Sequence, residues 1–473
     1  MAPDKPLIFV LHGARGDLAS RMVLPALALL QRRGLMPERW ALLGTGRTPI
    51  SSQEFDELLH DAVGEHGDDE AARGAHELTD HTAYCGDVSD DDSADELPGE
   101  LDRLRGVLVD GTDAGPQDVD VVHYLAVPPS SFGPITRALD RAGLTDGIRV
   151  VYEKPYGTSP EGFRELDETV HEALSEDQVF RIDHFLGKEA TQNLHVLRFA
   201  NELFGGAWSR EHVAQVQIDV PETLDVAQRA EFYDATGAAL DMLVTHLFQV
   251  AAEVAMEPPE HLDAAGLSAA REEVIRHFRP LDPARDVVLG QFEGYRDIEG
   301  IDDSSTTDTF VAARLWVDTD RWRDVPFLLR TGKRMARSAQ QVTLVLRAPD
   351  ELFGEPVGPN RIQVSLAGSG RIEVVTTVKR PGTELALGTG TVDLALEDVE
   401  PGEPVPPYAG LIEDVLVGDR ALFTTAEGLA SAWAAFDPLL GDGRPEPQPY
   451  APGSWGPSAA DDLAAPHGWA LHD

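Results

Sequence analysis

Positive charge is scarce in this chain, cysteine is almost absent, and no long apolar run is visible. Of 473 residues, 39 are Lys or Arg against 82 Asp or Glu, for a formal net charge of −43. That balance excludes a general nucleic-acid binder, because such binding rests on a basic footprint that releases counterions from phosphates. It reads instead as a solvated acidic surface. A single cysteine, Cys85, excludes an intrachain disulfide framework and a cysteine-based metal site, and no metal is expected. No apolar run approaches the ~18 residues that a membrane-spanning helix needs. The opening MAPDKPLIFV has no basic stretch followed by an apolar one. A soluble cytoplasmic protein is expected, with neither nucleic acid nor membrane as a partner. Lysine is the rarest charged residue. Only Lys5, Lys154, Lys188, Lys333 and Lys379 occur, beside 34 arginines, so the neighbours of each lysine merit inspection.

What is present is enough apolar material, 42% of residues, for a large core, and a length that suggests two or three domains. Strand-like runs at 7–11, 41–43, 119–127 and 148–152 alternate with helix-like segments. One of these, 18–30, carries Pro25 as an internal irregularity. Alternation of this kind predicts a parallel sheet with crossover helices. The acidic stretch between about Asp61 and Asp113 contains Ser89–Glu100 (SDDDSADELPGE), which reads as an exposed loop. Beyond about residue 180 the pattern changes. Segments 215–220, 309–317, 341–346, 361–366 and 371–378 read as strands without intervening helices, which predicts a mostly antiparallel sheet in an α+β domain. The Pro-rich stretches 400–407 and 444–452 read as surface connections. The division drawn is 1–180 and 181–473.

The first strand leads into Gly13-Ala14-Arg15-Gly16-Asp17-Leu18-Ala19 and then a helix. Glycines there permit a tight turn and close approach to a pyrophosphate at a helix N-terminus. A plain strand–helix loop would read the same way. At the end of the second strand an NAD site would place an acidic residue. This chain has Gly44-Thr45-Gly46-Arg47-Thr48, and arginine matches a 2′-phosphate. NADP is therefore inferred over NAD, with Arg15 as a second cation; an ordinary surface arginine is the alternative for Arg47.

Three of the five lysines fall in compact polar motifs. Lys154 lies in Glu153-Lys154-Pro155-Tyr156-Gly157, at a strand end where open α/β sheets bind ligands. Lys188 lies in RIDHFLGKE; a helix starting near Asp183 would put His184 and Lys188 on one face, suited to an anion. Lys333 follows an apolar strand in LLRTGK. The segment Asp234–Gln249 reads as an amphipathic helix, with His246 among Leu243, Val244, Leu247 and Phe248. Such a histidine is either a core residue or, if it meets a carboxylate such as Asp183, a base poised near neutral pH.

These motifs resemble the glucose-6-phosphate dehydrogenase family. The resemblance rests on GARGDLASRMVLPAL, YLAVPPSSF, EKPYGTS, RIDHFLGKEATQNL, DMLVTHLFQ and VPFLLRTGKRM. It continues through YAGLIEDVLVGDRALFTTAEGLASAWAAFDPLL to PYAPGSWGPSAAD, in family order over nearly the whole chain. It implies an N-terminal α/β Rossmann domain and a C-terminal α+β domain with a large, mainly antiparallel sheet, assembled as a homodimer or homotetramer. It implies oxidation of C1 of glucose 6-phosphate to the 1,5-lactone with hydride transfer to NADP, the first step of the pentose phosphate route. By motif position, His246 would be the general base and Asp183 its orienting carboxylate. His184 and Lys188 would hold the sugar phosphate, and Lys154 would bridge sugar and coenzyme. Glu222 and Asp241 would bind sugar hydroxyls, and Lys333 would contact the substrate. Gly13, Arg15, Gly16, Asp17, Leu18, Arg47 and Lys154 would form the coenzyme site.

Three departures stand out. Phe185 replaces the family tyrosine after the RIDH histidine, Ser338 replaces a basic residue five positions past Lys333, and Arg15 replaces a small residue of the phosphate turn. The first two leave open a relative acting on another sugar or sugar phosphate. A catalytically silent NADP-sensing or assembly protein is a further reading, against which the intact base and carboxylate argue.

Overall fold

The computed structural model describes residues 4–78, 82–89, 95–352, 354–368, 370–399, 402–441 and 443–472. The chain divides into two compact units. The first comprises Met1–Gly187 with two later segments, Leu262–Ser268 and Val405–Ala426. The second comprises Lys188–His261, Ala269–Pro404 and Glu427–Asp473.

In the first unit, six strands run parallel: β1 (Leu7–His12), β2 (Trp40–Gly46), β3 (Thr82–Gly86), β4 (Asp120–Leu125), β5 (Ile148–Tyr152) and β6 (Val179–Ile182). Their spatial order is β6, β5, β4, β1, β2, β3, and the short strand Phe423–Thr424 adds to β6 in antiparallel sense. This is the doubly wound order, with the reversal between β1 and β4 marking where ligands bind. All six residues of β1 are buried, as a central strand covered on both faces requires. Leu7, Phe9 and Leu11 join one apolar cluster with Leu24 and Leu27 from the helix Leu24–Arg32. Leu411, Ile412 and Val415 from the returning helix Pro407–Val417 complete it.

Two local expectations change here. The segment 18–30 is not one α-helix: a π-helical turn, Ala19–Val23, precedes the α-helix Leu24–Arg32. Pro25 stands just after the π-helical turn in a run that is helical on both sides, so it supplies no N–H where a straight α-helix would need one, and the widened turn accompanies that loss. Of the acidic stretch read as loop, residues 90–94 lie outside the described residues, but Glu96 opens the helix Glu96–Val109. Leu97, Leu101, Leu104 and Leu108 form its buried stripe, and the Glu96 carboxylate accepts the Gly86 N–H at 2.7 Å. The acidic composition masked that stripe.

The second unit is built on a nine-stranded sheet in the order Leu387–Ala395, Arg371–Lys379, Arg361–Ser365, Gln341–Leu346, Val213–Pro221, Phe327–Gly332, Phe310–Leu315, Val287–Phe292, Gln448–Tyr450. It is mainly antiparallel, as expected. The pairs Val213–Pro221/Phe327–Gly332 and Val287–Phe292/Gln448–Tyr450 are parallel. The stretch 444–452 is thus not merely a connection, because it supplies an edge strand. A helical run from Ala230 to Ala255 is long and apolar enough, by length and composition, to cross a membrane, contrary to the reading of the sequence. It is 83% buried over its most apolar window and forms core.

Candidate active site

At the end of β1 the backbone turns at Gly13 with φ +75°. A Cβ there would stand 2.5 Å from the Ala126 carbonyl oxygen and 2.8 Å from Val127 Cγ1, so only glycine fits. The Gly13 and Ala14 N–H groups donate to Thr45 O at 3.0 and 3.1 Å, and Gly16 N–H donates to Gly13 O at 2.8 Å. This ties the turn to the end of β2. The helical segment after Leu18 presents its N-terminal N–H groups here. Asp17 is exposed and paired with Arg21 at 2.6 Å. Arg15 and Arg47 are both exposed. The Arg15 charge acts on Tyr84, whose hydroxyl donates to Thr48 O at 3.2 Å, next to Arg47 in the chain. Bare backbone and two exposed cations at the carboxyl ends of β1 and β2 fit the pyrophosphate and 2′-phosphate of NADP.

The RIDH motif leaves β6 in a different way from the one expected. Asp183 begins a turn, not a helix: its carbonyl accepts Leu186 N–H at 3.0 Å and Gly187 N–H at 3.4 Å. The helix starts at Glu189, with Lys188 as its N-cap. His184 and Lys188 therefore do not share a helical face. The Asp183 carboxylate is buried and accepts the Phe185 N–H at 2.9 Å. His184 stacks on Tyr408 with ring centroids 6.3 Å apart and planes at 18°. Phe185 is buried. Lys188 donates to the Gln340 side chain in the second unit.

Lys154 follows Glu153 at the end of β5, ahead of a cis Lys154–Pro155 peptide bond. Glu153 is buried, and burial pushes its carboxyl up to about 7 against the opposing pull of Tyr124, Tyr408 and Lys154. Tyr124 donates to Glu153 Oε1, and Tyr408 donates to Glu153 Oε2 at 3.5 Å. Neither tyrosine was singled out in the sequence; only the three-dimensional return of the helix Pro407–Val417 brings Tyr408 here.

The second unit gathers Glu222, Asp241 and Lys333. The paired strands Val213–Pro221 and Phe327–Gly332 end side by side, with Pro221 opposite Gly332. The next residue on each makes the ion pair Lys333 Nζ–Glu222 Oε2 at 2.7 Å. Lys333 and Asp241 line a cavity of about 250 Å³ with Arg229, Tyr233, Asp225 and Leu224. Ser338 accepts the Thr223 N–H at 2.9 Å and so braces the loop bearing Glu222. Tyr233 is a further site residue that the sequence did not reveal. It lies beneath Lys333, its ring centroid 5.6 Å from Nζ, and burial among Asp308, Asp241 and Glu222 pushes its hydroxyl well above the usual range.

His246 is fully buried. The helix read as running from Asp234 is broken at Gly237 (φ +69°), and residues Ala239–Leu247 form a π-helix that carries both Asp241 and His246. Asp308 sets the break: its carbonyl accepts Ala238 N–H at 2.8 Å and its carboxylate accepts Ala239 N–H at 2.7 Å. π-Helical turns of this kind concentrate at functional sites. Among the described residues no cluster of three metal-ligating side chains occurs.

Residues 10–193 match the family model "Glucose-6-phosphate dehydrogenase, NAD binding domain", and residues 195–471 match "Glucose-6-phosphate dehydrogenase, C-terminal domain". A Mycobacterium tuberculosis protein named glucose-6-phosphate 1-dehydrogenase 2 is 34% identical, over 97% of this chain and 93% of its own length. The crystal structure of glucose-6-phosphate 1-dehydrogenase from Mycobacterium avium superposes with a TM-score of 0.86 at 32% identity, covering 99% of this chain and 98% of that one. A glucose-6-phosphate dehydrogenase solved with its substrate glucose 6-phosphate gives a TM-score of 0.90 at 27% identity, covering 99% of each chain.

Proposed function

The chain belongs to the glucose-6-phosphate dehydrogenase family, and from that premise we propose how its own residues divide the work. The reaction is oxidation of C1 of glucose 6-phosphate to the 1,5-lactone, and NADP, when bound, supplies the acceptor for the hydride. The first unit acts as the coenzyme domain, with Gly13, Gly16, Asp17 and Leu18 forming the pyrophosphate turn and Arg15 and Arg47 meeting the 2′-phosphate. The second unit supplies most of the sugar site. His246 removes the C1 hydroxyl proton as the hydride leaves, and Asp183 orients it and stabilises the imidazolium. His184 and Lys188 hold the 6-phosphate. Lys154 reaches toward both sugar and coenzyme. Glu222 and Asp241 accept hydrogen bonds from sugar hydroxyls, and Lys333 donates to the sugar.

The observation that carries this reading is the cavity where Lys333, Asp241 and Tyr233 converge, with Glu222 paired to Lys333 at its edge. Opposite charges at 2.7 Å in a half-buried cleft are a pair that a polyhydroxylated substrate can enter, trading one ion pair for several charge-assisted hydrogen bonds. The test is a spectrophotometric assay of NADPH formation across glucose 6-phosphate, glucose and other hexose 6-phosphates, with NAD in parallel. The highest kcat/KM is expected for glucose 6-phosphate with NADP; a higher value for another sugar would displace this reading.

We also read the protein as a homodimer or homotetramer joined through the large sheet. Val392 and Leu394 on its outer strand are 65% and 49% exposed, which supports a covered face. Sedimentation velocity returning a monomer would remove this reading. A cytoplasmic location follows from the substrate and coenzyme, and cell fractionation tests it.

A further inference from the structure

The first unit contains a connected set of polar side chains that no step of the reaction described above uses. Glu153 directly follows β5 and is buried at 6% exposure. Each of its carboxylate oxygens accepts from a different tyrosine: Oε1 from Tyr124 of β4, Oε2 from Tyr408 at 3.5 Å. Tyr124 is fully buried within the sheet and cannot move without repacking it. Tyr408 comes from the returning helix Pro407–Val417, more than 250 residues later in the chain, and its ring stacks on His184. The same helix also lies close against the turn, since a Cβ on Gly187 would stand 2.7 Å from Leu411 Cγ. Asp183 also acts on the Tyr408 hydroxyl by its charge. The turn carrying Asp183 and His184 is therefore held by a helix whose nearest tyrosine is anchored on Glu153. On its other side, Glu153 is the covalent neighbour of Lys154, whose backbone N–H and ammonium both favour the ionised carboxylate.

We propose that Glu153, clamped between the hydroxyls of Tyr124 and Tyr408, is a positioning residue that fixes Lys154 directly and His184 through the Tyr408 ring. One buried carboxylate thus sets the relative placement of the cation at the end of β5 and the imidazole of the turn after β6. The inference rests on the reading of His184 and Lys154 as substrate contacts. A carboxylate serves better than an amide here, because it accepts from both hydroxyls at once while an amide offers a single acceptor oxygen. Loss of one acceptor frees Tyr408 to turn, and His184 loses the ring against which it stacks.

The test uses the full chain in steady-state kinetics. Glu153→Gln is expected to raise KM for glucose 6-phosphate about tenfold while kcat stays within about threefold, since ground-state positioning rather than chemistry is lost. Tyr408→Phe keeps the ring and removes the hydroxyl. It is expected to raise KM for glucose 6-phosphate severalfold and to leave KM for NADP unchanged. The double variant is expected to be no worse than Glu153→Gln, because both changes cut one chain of contacts. Tyr152→Phe loses another buried hydroxyl bond of the same sheet, to Thr136 at 2.8 Å, and is expected to change neither KM. Additive effects in the double variant, or an unchanged KM for glucose 6-phosphate in either single variant, would overturn the proposal. Should Glu153→Gln fail to fold, Tyr408→Phe decides alone. A wild-type protein that does not reduce NADP with glucose 6-phosphate would instead overturn the reading on which the proposal rests.

Discussion

The sharpest stability prediction concerns Asp219→Asn. Asp219 and Arg330 stand opposite each other on the paired strands Val213–Pro221 and Phe327–Gly332, three residues before Glu222 and Lys333. Their side chains are 3% and 0% exposed. Arg330 donates through Nε to Asp219 Oδ1 at 2.9 Å and through its second terminal nitrogen to Oδ2. It also meets His472 Nε2 at 2.7 Å, and its guanidinium lies 4.1 Å from the ring centroid of Trp469 and 5.2 Å from that of Trp455. Removing one partner of a buried pair costs about 3–5 kcal/mol, because the other charge is left buried without compensation. His472 and the two indoles remain, each indole contributing ~0.5–2 kcal/mol, so the lower end, about 3 kcal/mol, is expected. With a urea slope of about 3 kcal/mol/M for a chain of this size, the midpoint falls by about 1 M. Urea unfolding followed by tryptophan fluorescence reads this directly. The double variant Asp219→Leu/Arg330→Met removes both charges and is expected to regain most of the loss. A midpoint shift below about 0.2 M in Asp219→Asn, or a double variant less stable than the single one, would refute the reasoning.

Two further outcomes are expected. Arg47→Ala removes a charge-assisted donor at the end of β2 and should lower kcat/KM with NADP by about 10–100-fold, as loss of about 1.5–3 kcal/mol implies, leaving NAD unchanged; equal losses with both coenzymes would contradict the 2′-phosphate assignment. The second concerns the buried imidazoles His12 and His123, which contact each other at 3.0 Å, with Thr45 at 3.2 Å from His12. Burial lowers His12 to about 4 and His123 well below its ordinary value. A histidine depressed in the folded state contributes stability above the unfolded value of about 6.5 that is lost as pH falls toward 4. The stability advantage of wild type over His12→Gln, measured by urea unfolding, should therefore shrink by up to about 3 kcal/mol between pH 6.5 and 4. The subtraction removes the opposing gain from Glu153 and Asp414, both raised to about 7 by burial. An advantage that does not change with pH would contradict the burial argument.

The parts of this protein that were legible in its sequence are those with local causes. The run Leu7–Leu11, the glycine turn after it, Arg47 at the next strand end and the apolar strands of the large sheet within 215–220, 309–317, 341–346, 361–366 and 371–378 each carry their signal within a few residues, whereas Val287–Phe292, Leu387–Ala395 and Gln448–Tyr450 of the same sheet were not read as strands. Lysine scarcity singled out Lys154, Lys188 and Lys333, and two of these lie against Glu153 or Glu222. What escaped depends on contacts far apart in the chain. The strand Phe423–Thr424 belongs to the first sheet only because it returns to β6. Tyr408, Tyr124 and Tyr233 read as ordinary aromatics until the fold places carboxylates against them. The break at Gly237 escaped because its cause, Asp308, lies 71 residues away and the flanking residues are good helix formers. The helix Glu96–Val109 was hidden by neighbours whose charge outweighed its leucine stripe.

The central claim is that His246, on the π-helix Ala239–Leu247, is the base that removes the C1 proton. The most direct measurement is NADPH production from glucose 6-phosphate by wild type and His246→Asn at saturating substrate, with thermal unfolding as a check on the fold. A kcat lower by about 10²–10⁴-fold is expected, with KM for glucose 6-phosphate little changed, because a general base acts in the transition state. A variant that retains more than a tenth of wild-type kcat would contradict it.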